Sequence, residues 1–183
     1  MIKNIINKIL YRINLRLGKC FPRPSTEFMK EHFKNKKVAG TEIGVYAGEN
    51  AKSILKNLNV KKLYLIDPYD LTDESKFYEM FNVKGICHRR FRDTKNIKFV
   101  EEFSNIAVNQ IPLLDFVYID GDHSFESVTS DMINYWKKIK KGGVMGGHDF
   151  TAMNLGVIRA VSNFCVEHGL QLYVKNIDWW VVK

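Results

Sequence analysis

Short apolar runs alternate with amphipathic stretches from about residue 37 onward. This alternation is typical of βαβ units, because each buried parallel strand needs a helical crossover before the next one. The pattern predicts an α/β protein with a doubly wound, mostly parallel seven-stranded sheet of the Rossmann-like kind and an antiparallel last strand. The strands expected to be parallel are 38–43, 62–66, 97–100, 114–119 and 143–146.

Helices are indicated between the strands by apolar residues at helical spacing. One such stripe ends near Ile139, and Gly142 and Gly143 follow it where a left-handed cap often ends a helix. We therefore predict that this helix continues to about Ile139. Two last strands, near 170–174 and 179–182, are joined by a connection too short for a parallel crossover, so they should be antiparallel neighbours.

The N-terminal segment has a different character. Residues 2–17 place isoleucine and leucine on one helical stripe and basic residues largely off it, and the prolines within 20–24 should end this helix. We predict a basic amphipathic helix in residues 1–24 and one main domain in residues 25–183. The stripe fits peripheral contact with an anionic membrane, packing on a partner subunit in a homo-oligomer, or a cap on the domain's own core.

Polar and glycine residues collect at the carboxyl ends of four predicted strands. The four loops are 41–48, 67–68, 120–123 and 146–149. Ligands of open α/β sheets bind outside these ends, near the point where the strand order reverses. The sequence therefore predicts one crevice that all four loops share.

The first loop favours a nucleoside cofactor other than a dinucleotide. Gly44 and Gly48 allow a tight turn, but Tyr46 stands where a dinucleotide fingerprint has the glycine that makes room for a pyrophosphate. Asp67 can accept hydrogen bonds from ribose hydroxyls. Glu42 would repel a phosphate and attract the sulfonium and ammonium charges of S-adenosylmethionine. Each feature alone is also ordinary turn chemistry, so the prediction depends on their joint placement.

Three segments carry a family resemblance. They read E-I-G-V-Y-A-G-E at 42–49, Y-I-D-G-D-H-S-F-E at 118–126 and K-G-G-V-M-G-G-H-D-F at 141–150. They resemble the class I S-adenosylmethionine-dependent methyltransferases, in particular the small group with macrolide-sugar O-methyltransferases and cephalosporin-hydroxylase-like proteins. The resemblance covers roughly residues 37–183. It implies transfer of a methyl group from S-adenosylmethionine to a hydroxyl of a small molecule, sugar or glycan.

By this resemblance the cofactor would be held by several strand ends. The glycine loop would bind the methionine end, the acid after the second strand the ribose, and the residues after the third strand the adenine. The residues so implied are Glu42, Gly44, Tyr46, Gly48, Asp67, Phe103, Ser104 and Asp120.

Some relatives also hold a divalent metal ion, Mg²⁺ or Mn²⁺, and the matching residues here are Asp120, His148 and Asp149. His148 departs from the relatives' pattern, since they commonly carry a second carboxylate there. Magnesium prefers oxygen ligands, so the histidine favours manganese, iron or zinc, or no metal. The acids Asp120, Asp122 and Asp149 need a compensating cation or donor, and no lysine or arginine lies near them in sequence.

An acceptor hydroxyl has to lose its proton during methyl transfer. Either a bound metal lowers the pKa of that hydroxyl, or a neutral imidazole takes the proton. The predicted catalytic residues are His148, His123 and Asp120, because all three lie at the proposed crevice.

The acceptor and two rival functions stay open. Segment 71–96 mixes aromatic with basic residues and would cover an anionic acceptor, although a basic run is often only a solvated helix face. The net charge of +8 also allows nucleic-acid methylation, which the dispersed basic residues disfavour. A non-catalytic scaffold that contacts a membrane through residues 2–17 is the other rival.

The cysteines and the hydropathy indicate a cytoplasmic setting. Cys20, Cys87 and Cys165 are odd in number and far apart, which argues against a disulfide framework or a zinc site. No apolar run reaches the ~20 residues of a transmembrane helix, and no secretory signal pattern is present. Peripheral attachment to a membrane is compatible with these features.

Overall fold

A computed structural model describes residues 22–69 and 82–183. The predicted helix over residues 2–17 and the first part of segment 71–96 lie outside the described residues. The strands in these two ranges are β1 (Val38–Ile43), β2 (Val60–Ile66), β3 (Ile97–Val100), β4 (Leu114–Ile119), β5 (Ile139–Gly147), β6 (Tyr173–Lys175) and β7 (Asp178–Val182).

Helices connect most of these strands. They are α1 (Pro24–Phe33), α2 (Glu49–Asn57), α3 (Val83–Phe91), α4 (Ser104–Ala107), α5 (Phe125–Trp136) and α6 (Leu155–Glu167), with a 3₁₀ turn at Val108–Gln110. No helix in the two described ranges has the length and apolar character needed to cross a membrane.

The strands form one sheet in the order β3-β2-β1-β4-β5-β7-β6. Strands β1 to β5 are parallel, while β7 is antiparallel to both β5 and β6, which confirms the predicted fold class. The strand order reverses between β1 and β4. Ile43 pairs with Ile66 on one side and with Ile119 on the other, so the loops after these strands leave the sheet at one level. This is where open α/β sheets bind ligands.

Each face of the sheet buries its own apolar cluster. Helices α1, α2 and α3 cover one face, where Met29, Ile54 and Phe116 are completely buried. Helices α5 and α6 cover the other, around Met132 and Val161. Because helices cover both faces, β4 is buried along its whole length, as is usual for a central parallel strand.

The helix predicted to continue to Ile139 is shorter than expected, and that prediction was wrong. Helix α5 ends at Trp136, and Ile139 already belongs to β5. Gly142 does not cap a helix but has a φ of +75° inside β5, where the register against β4 shifts. Extra residues in one strand of a pair form a β-bulge, and glycine readily adopts the left-handed backbone conformation that this bulge contains.

Helix α1 was not predicted from the sequence. The prolines before it were interpreted only as the end of an earlier helix, whereas Pro24 is the first residue of α1. Proline suits that position, because its fixed φ fits a helix and the first helical N–H has no partner within the helix. Met29 and Phe33 of α1 are buried against the sheet, so α1 belongs to the main domain.

Candidate active site

A cavity of about 960 Å³ opens at the carboxyl ends of β1, β2 and β4. The structure brings most of the predicted site residues into its wall. Gly48 and His148 are the predicted residues that do not line it. The predicted residues that do are Glu42, Gly44, Tyr46, Asp67, Phe103, Ser104, Asp120, His123 and Asp149.

The loop after β1 passes very close to the loop after β4. Gly44 has a φ of +78°, and a Cβ placed on it would lie 2.1 Å from the backbone oxygen of Asp120. A side chain at this position would therefore push the two loops apart, so glycine is required for the floor of the cavity. Gly48 serves packing in addition to the turn, since a Cβ there would lie 2.5 Å from the Phe91 ring of α3.

Asp67 organises the glycine loop from the end of β2. Its carboxylate accepts hydrogen bonds from the backbone N–H groups of Val45 at 2.9 Å, Tyr46 at 2.8 Å and Tyr69 at 2.9 Å. Burial raises the pKa of Asp67, and the three N–H donors oppose that rise. Asp67, the residue predicted to bind the ribose, therefore also fixes the backbone of Val45 and Tyr46.

Glu42 is the most deeply buried acid of the cavity, with 1% of its surface exposed. The Nδ2 of Asn50 donates to its Oε1 at 3.1 Å, and its Oε2 has no hydrogen-bond partner within the described part of the chain. Burial raises the pKa of Glu42 to about 8, with Arg23 opposing and Asp120 adding to the rise. The Glu42 carboxyl is therefore mostly protonated at neutral pH, and a positively charged ligand would favour its ionisation.

Arg23 provides the compensating cation that Asp120 needs, although no lysine or arginine lies near Asp120 in the sequence. Its Nη1 donates to Asp120 Oδ2 at 2.7 Å and to the Tyr118 hydroxyl at 2.6 Å. Burial raises the pKa of Asp120, and the Arg23 guanidinium opposes that rise. Sequence reasoning missed Arg23 because it lies 97 residues before Asp120 and carries no motif.

His148 faces a buried carboxylate of β7. Its Nδ1 lies 2.6 Å from Asp178 Oδ1, and the same carboxylate accepts from the Tyr118 hydroxyl at 3.0 Å and from both the N–H and the hydroxyl of Ser25. Burial raises the pKa of Asp178, but these donors and the Arg23 charge outweigh it, and the net pKa is lowered. An ionised carboxylate only accepts hydrogen bonds, so His148 Nδ1 carries a hydrogen. In the neutral ring, Nε2 is then the nitrogen that accepts.

His123 lies in the cavity wall and pairs with Asp149, with 3.0 Å between Nε2 and Oδ2. Asp120, His123 and Asp149 each offer one ligand atom, and these atoms lie within 4.8 Å of one another. This group contains two of the predicted metal ligands, with His123 in the position expected for His148. The role of His148 as a metal ligand stays a prediction.

The residues after β3 meet α5 at the far wall of the cavity. Phe103 is half exposed, and the Ser104 hydroxyl donates to Asp131 Oδ1 at 2.5 Å. The Tyr135 hydroxyl donates to the backbone oxygen of Ser104 at 2.8 Å. Sequence reasoning missed Asp131, although a carboxylate beside the apolar stripe of Val128 is a signal that could have found it.

Fold, glycine loop and acidic cavity together define a class I S-adenosylmethionine-dependent methyltransferase domain. The family model of the methyltransferase domain matches residues 41–150. The chain belongs to that family.

Solved structures of methyltransferases share this fold. The O-methyltransferase NovP is 14% identical with a TM-score of 0.62, covering 87% of this chain and 79% of that chain. SMU.1697c from Streptococcus mutans, solved in complex with SAH, is 13% identical with a TM-score of 0.64, covering 89% and 99%. The TDP-rhamnose 3'-O-methyltransferase CalS11 is 11% identical with a TM-score of 0.59, covering 86% and 76%.

Among curated proteins, an uncharacterized protein of Acanthamoeba polyphaga mimivirus is 26% identical over 125 residues. The match covers 68% of this chain and 57% of that relative. The chain thus spans little more than half the length of the curated relative that it matches.

Proposed function

We propose that the protein transfers a methyl group from S-adenosylmethionine to a hydroxyl of a small molecule, sugar or glycan. The observation that carries the proposal is the single cavity that Glu42, Gly44, Asp67 and His123 line together. Two neighbours in fold, NovP and CalS11, are O-methyltransferases, and CalS11 acts on a TDP-sugar. These neighbours support the choice of oxygen as the acceptor atom and of a sugar as an acceptor to test first.

In this proposal the cofactor lies with its charged end at Glu42. The ammonium and sulfonium groups would favour ionisation of the buried carboxyl, whose Oε2 has no partner among the described residues. Asp67 would hold the ribose while it keeps its bonds to the backbone of Val45 and Tyr46, because a carboxylate has about four acceptor positions and three are used.

The reaction would be an in-line displacement at the methyl carbon. The acceptor oxygen forms the new C–O bond, the C–S bond breaks, and the sulfur leaves as the neutral thioether of S-adenosylhomocysteine. The hydroxyl proton goes to an imidazole, for which His123 in the cavity wall and His148 beside it are the candidates. Holding oxygen, methyl carbon and sulfur in line supplies much of the rate.

A divalent ion fits the donor set of Asp120, His123 and Asp149. Two carboxylates and one imidazole suit Mn²⁺ or Fe²⁺ better than Mg²⁺, which prefers oxygen ligands. When bound, such an ion would lower the pKa of an acceptor hydroxyl. Asp120 would contribute the oxygen that Arg23 does not hold.

The test is methyl transfer by the full chain from methyl-labelled S-adenosylmethionine. Neutral sugars, nucleoside-diphosphate sugars and phenols form one set of acceptors, and RNA and DNA form a second. We expect labelled methyl ether on a member of the first set and loss of that label in His123→Ala. Transfer to nucleic acid alone, or cofactor binding without transfer to any hydroxyl, would contradict the proposal.

A further inference from the structure

Lysines collect at the end of the sheet that lies opposite the cavity. Strands β1 to β5 are parallel, so the chain enters all of them at the same edge of the sheet, and the antiparallel β7 ends there. We call this edge, with the turns and helix ends beside it, the amino edge. Its exposed lysines are Lys34, Lys36, Lys37, Lys56, Lys61, Lys95, Lys137, Lys140, Lys141 and Lys183.

Side-chain contacts join the amino edge into one continuous surface. The buried carboxylate of Asp115, in β4, accepts from Lys36 before β1 and from Lys140 in β5, both at 3.1 Å. Lys183, after β7, donates to the backbone oxygen of Trp136 at the end of α5 at 2.7 Å. Because β5 pairs with both β4 and β7, these contacts border the same surface.

Few acids neutralise this surface. Within the described residues its exposed acids are Glu31, Asp93 and Glu167, and Asp93 pairs with Arg92. The lysines of the amino edge whose side chains make no ion pair or hydrogen bond with residues 22–69 and 82–183 are Lys34, Lys37, Lys56, Lys61, Lys95, Lys137 and Lys141. The amino edge is therefore strongly positive, whereas the cavity at the opposite end is acidic.

Helix ends explain only part of this lysine content. The helix dipole stabilises a cation near the last turn, which accounts for Lys56 of α2 and for Lys137 after α5. Lys37, Lys61 and Lys141 lie before or within strands, and sheets have only small net dipoles. Like charges at one edge repel one another, so an anionic partner would stabilise this surface.

Two exposed apolar side chains stand among the lysines. Leu113, directly before β4, is 57% exposed, and Lys138 donates to the backbone oxygen two residues before it. Val166, in the last turn of α6, is 83% exposed. Its neighbour two residues on, His168, contacts the ring of Trp136, which Lys183 also contacts. The basic surface therefore includes apolar side chains at its border with α6 and at the start of β4.

This combination favours a lipid surface over a nucleic acid. A membrane interface offers anionic headgroups to the lysines and an acyl boundary to aliphatic side chains. A nucleic-acid backbone would attract the lysines equally, but its phosphates and sugars give Leu113 and Val166 no apolar contact.

We propose that the amino edge docks on a membrane surface that contains anionic phospholipids. The lysines face the headgroups, and Leu113 and Val166 reach the boundary with the acyl chains. In this orientation the cavity points away from the membrane and stays open. The proposal goes beyond methyl transfer, since none of the residues that carry it lines the cavity.

Co-sedimentation of the full chain with vesicles tests the proposal. Vesicles of phosphatidylcholine and phosphatidylserine in equal parts are compared with vesicles of phosphatidylcholine alone. We expect binding to the anionic vesicles that weakens as salt is added, because salt screens the attraction. The double variant Lys37→Gln, Lys141→Gln should bind about tenfold more weakly, since each lysine beside an anionic surface strengthens binding by roughly fivefold.

Two matched controls lie outside the amino edge. The double variant Lys84→Gln, Lys175→Gln removes the same charge from exposed lysines near the opposite end of the sheet, so it should keep most of the affinity. Leu113→Ser should weaken vesicle binding several-fold. Met153→Ser should not, although Met153, in the loop after β5, is 88% exposed.

Three results would overturn the proposal. The first is absence of binding to the anionic vesicles. The second is unchanged vesicle binding in the Lys37→Gln, Lys141→Gln variant, which would assign the membrane contact to another segment such as residues 2–17. The third is binding to RNA, but not to vesicles, that depends on these two lysines. None of these measurements uses S-adenosylmethionine, so docking and methyl transfer can fail independently.

Discussion

At the scale of single residues, the charge state of the buried Glu42 carboxyl differs from that of a glutamate in water. Burial raises its pKa from 4.5 to about 8. In the pH range between these values the folded protein holds a proton that the unfolded chain has released. The contribution of Glu42 to stability therefore falls as the pH rises through this range, and its full cost is reached above about pH 8.

Glu42→Gln should stabilise the ligand-free protein most at high pH. Glutamine has nearly the same shape and no charge to bury, so the thermal midpoint should rise at pH 8.5 and stay nearly unchanged below pH 4.5. Thermal unfolding of both proteins across this range checks the prediction. A lower thermal midpoint for the variant at pH 8.5 would contradict the prediction, because the carboxyl would then be ionised and paired in the folded state.

Binding of S-adenosylmethionine at pH 7 should release a proton from Glu42. The positive charges of the cofactor favour the ionised carboxyl, and the proton passes to the buffer. Calorimetry in two buffers with different ionisation enthalpies measures this release. In Glu42→Gln the proton release should disappear and the affinity should fall by about tenfold or more, since a charge-assisted contact is lost. A release that persists in the variant would assign the proton to another group.

Arg23 sets the electrostatics of Asp120. Arg23→Met should leave that carboxylate without its guanidinium and cost about 1–3 kcal/mol of unfolding free energy, the range for a buried polar group that loses its partner. It should also increase the affinity for Mn²⁺, because Asp120 Oδ2 becomes available. Urea unfolding and manganese titration are the measurements. The exposed Arg92→Met is the control, and equal behaviour of the two variants would contradict this role of Arg23.

At the scale of elements, the carboxylate of Asp178 joins α1, β4 and the end of β5 to β7. Ser25 donates from the start of α1, Tyr118 from β4, and His148 from the residue after β5. These contacts link the last strand of the fold to the floor of the cavity. The helix that follows the N-terminal segment is thus fixed to the same carboxylate that orients His148.

Asp178→Asn should destabilise the protein by about 2–4 kcal/mol at pH 7, because an amide cannot accept from all of these donors and leaves buried groups unpaired. The pKa of Asp178 is lowered in the folded state, so its stabilisation is present above pH 3.8 and is lost as the pH falls below it. The difference between the two proteins should therefore shrink in acid. Urea unfolding at pH 7 and pH 3 measures this, and no difference at pH 7 would contradict it.

The boundaries of two elements could not be predicted from local pattern. Ile139 continues a helical stripe, yet it pairs with Leu114 in the sheet. Over a few residues the apolar spacing of a helix cannot be told from that of a strand. Ile139 is in a strand because of its pairing with Leu114, and the local pattern contains no information about that contact. The bulge at Gly142 has the same origin, since its register shift depends on the partner strand.

At the scale of the whole molecule, the crevice followed from the sequence because the motifs stand at strand ends. The doubly wound topology brings those ends together, so Glu42, Asp67 and Asp120 meet in one cavity. Arg23 and Asp178 could not be found in this way. Each reaches the site from a distant part of the chain, and only the packing of α1 on the sheet and the pairing of β7 with β5 bring them there.

The most direct test of the proposed cofactor site is binding of S-adenosylmethionine and S-adenosylhomocysteine to the full chain. Binding is measured as the shift that each ligand causes in the thermal unfolding midpoint. At a ligand concentration of about 100 times the dissociation constant the shift should correspond to about 2.7 kcal/mol. NAD should give no shift, and Gly44→Val should abolish the response, because its side chain would meet the loop at Asp120. Stabilisation by NAD without any response to the two sulfur nucleosides would contradict the account.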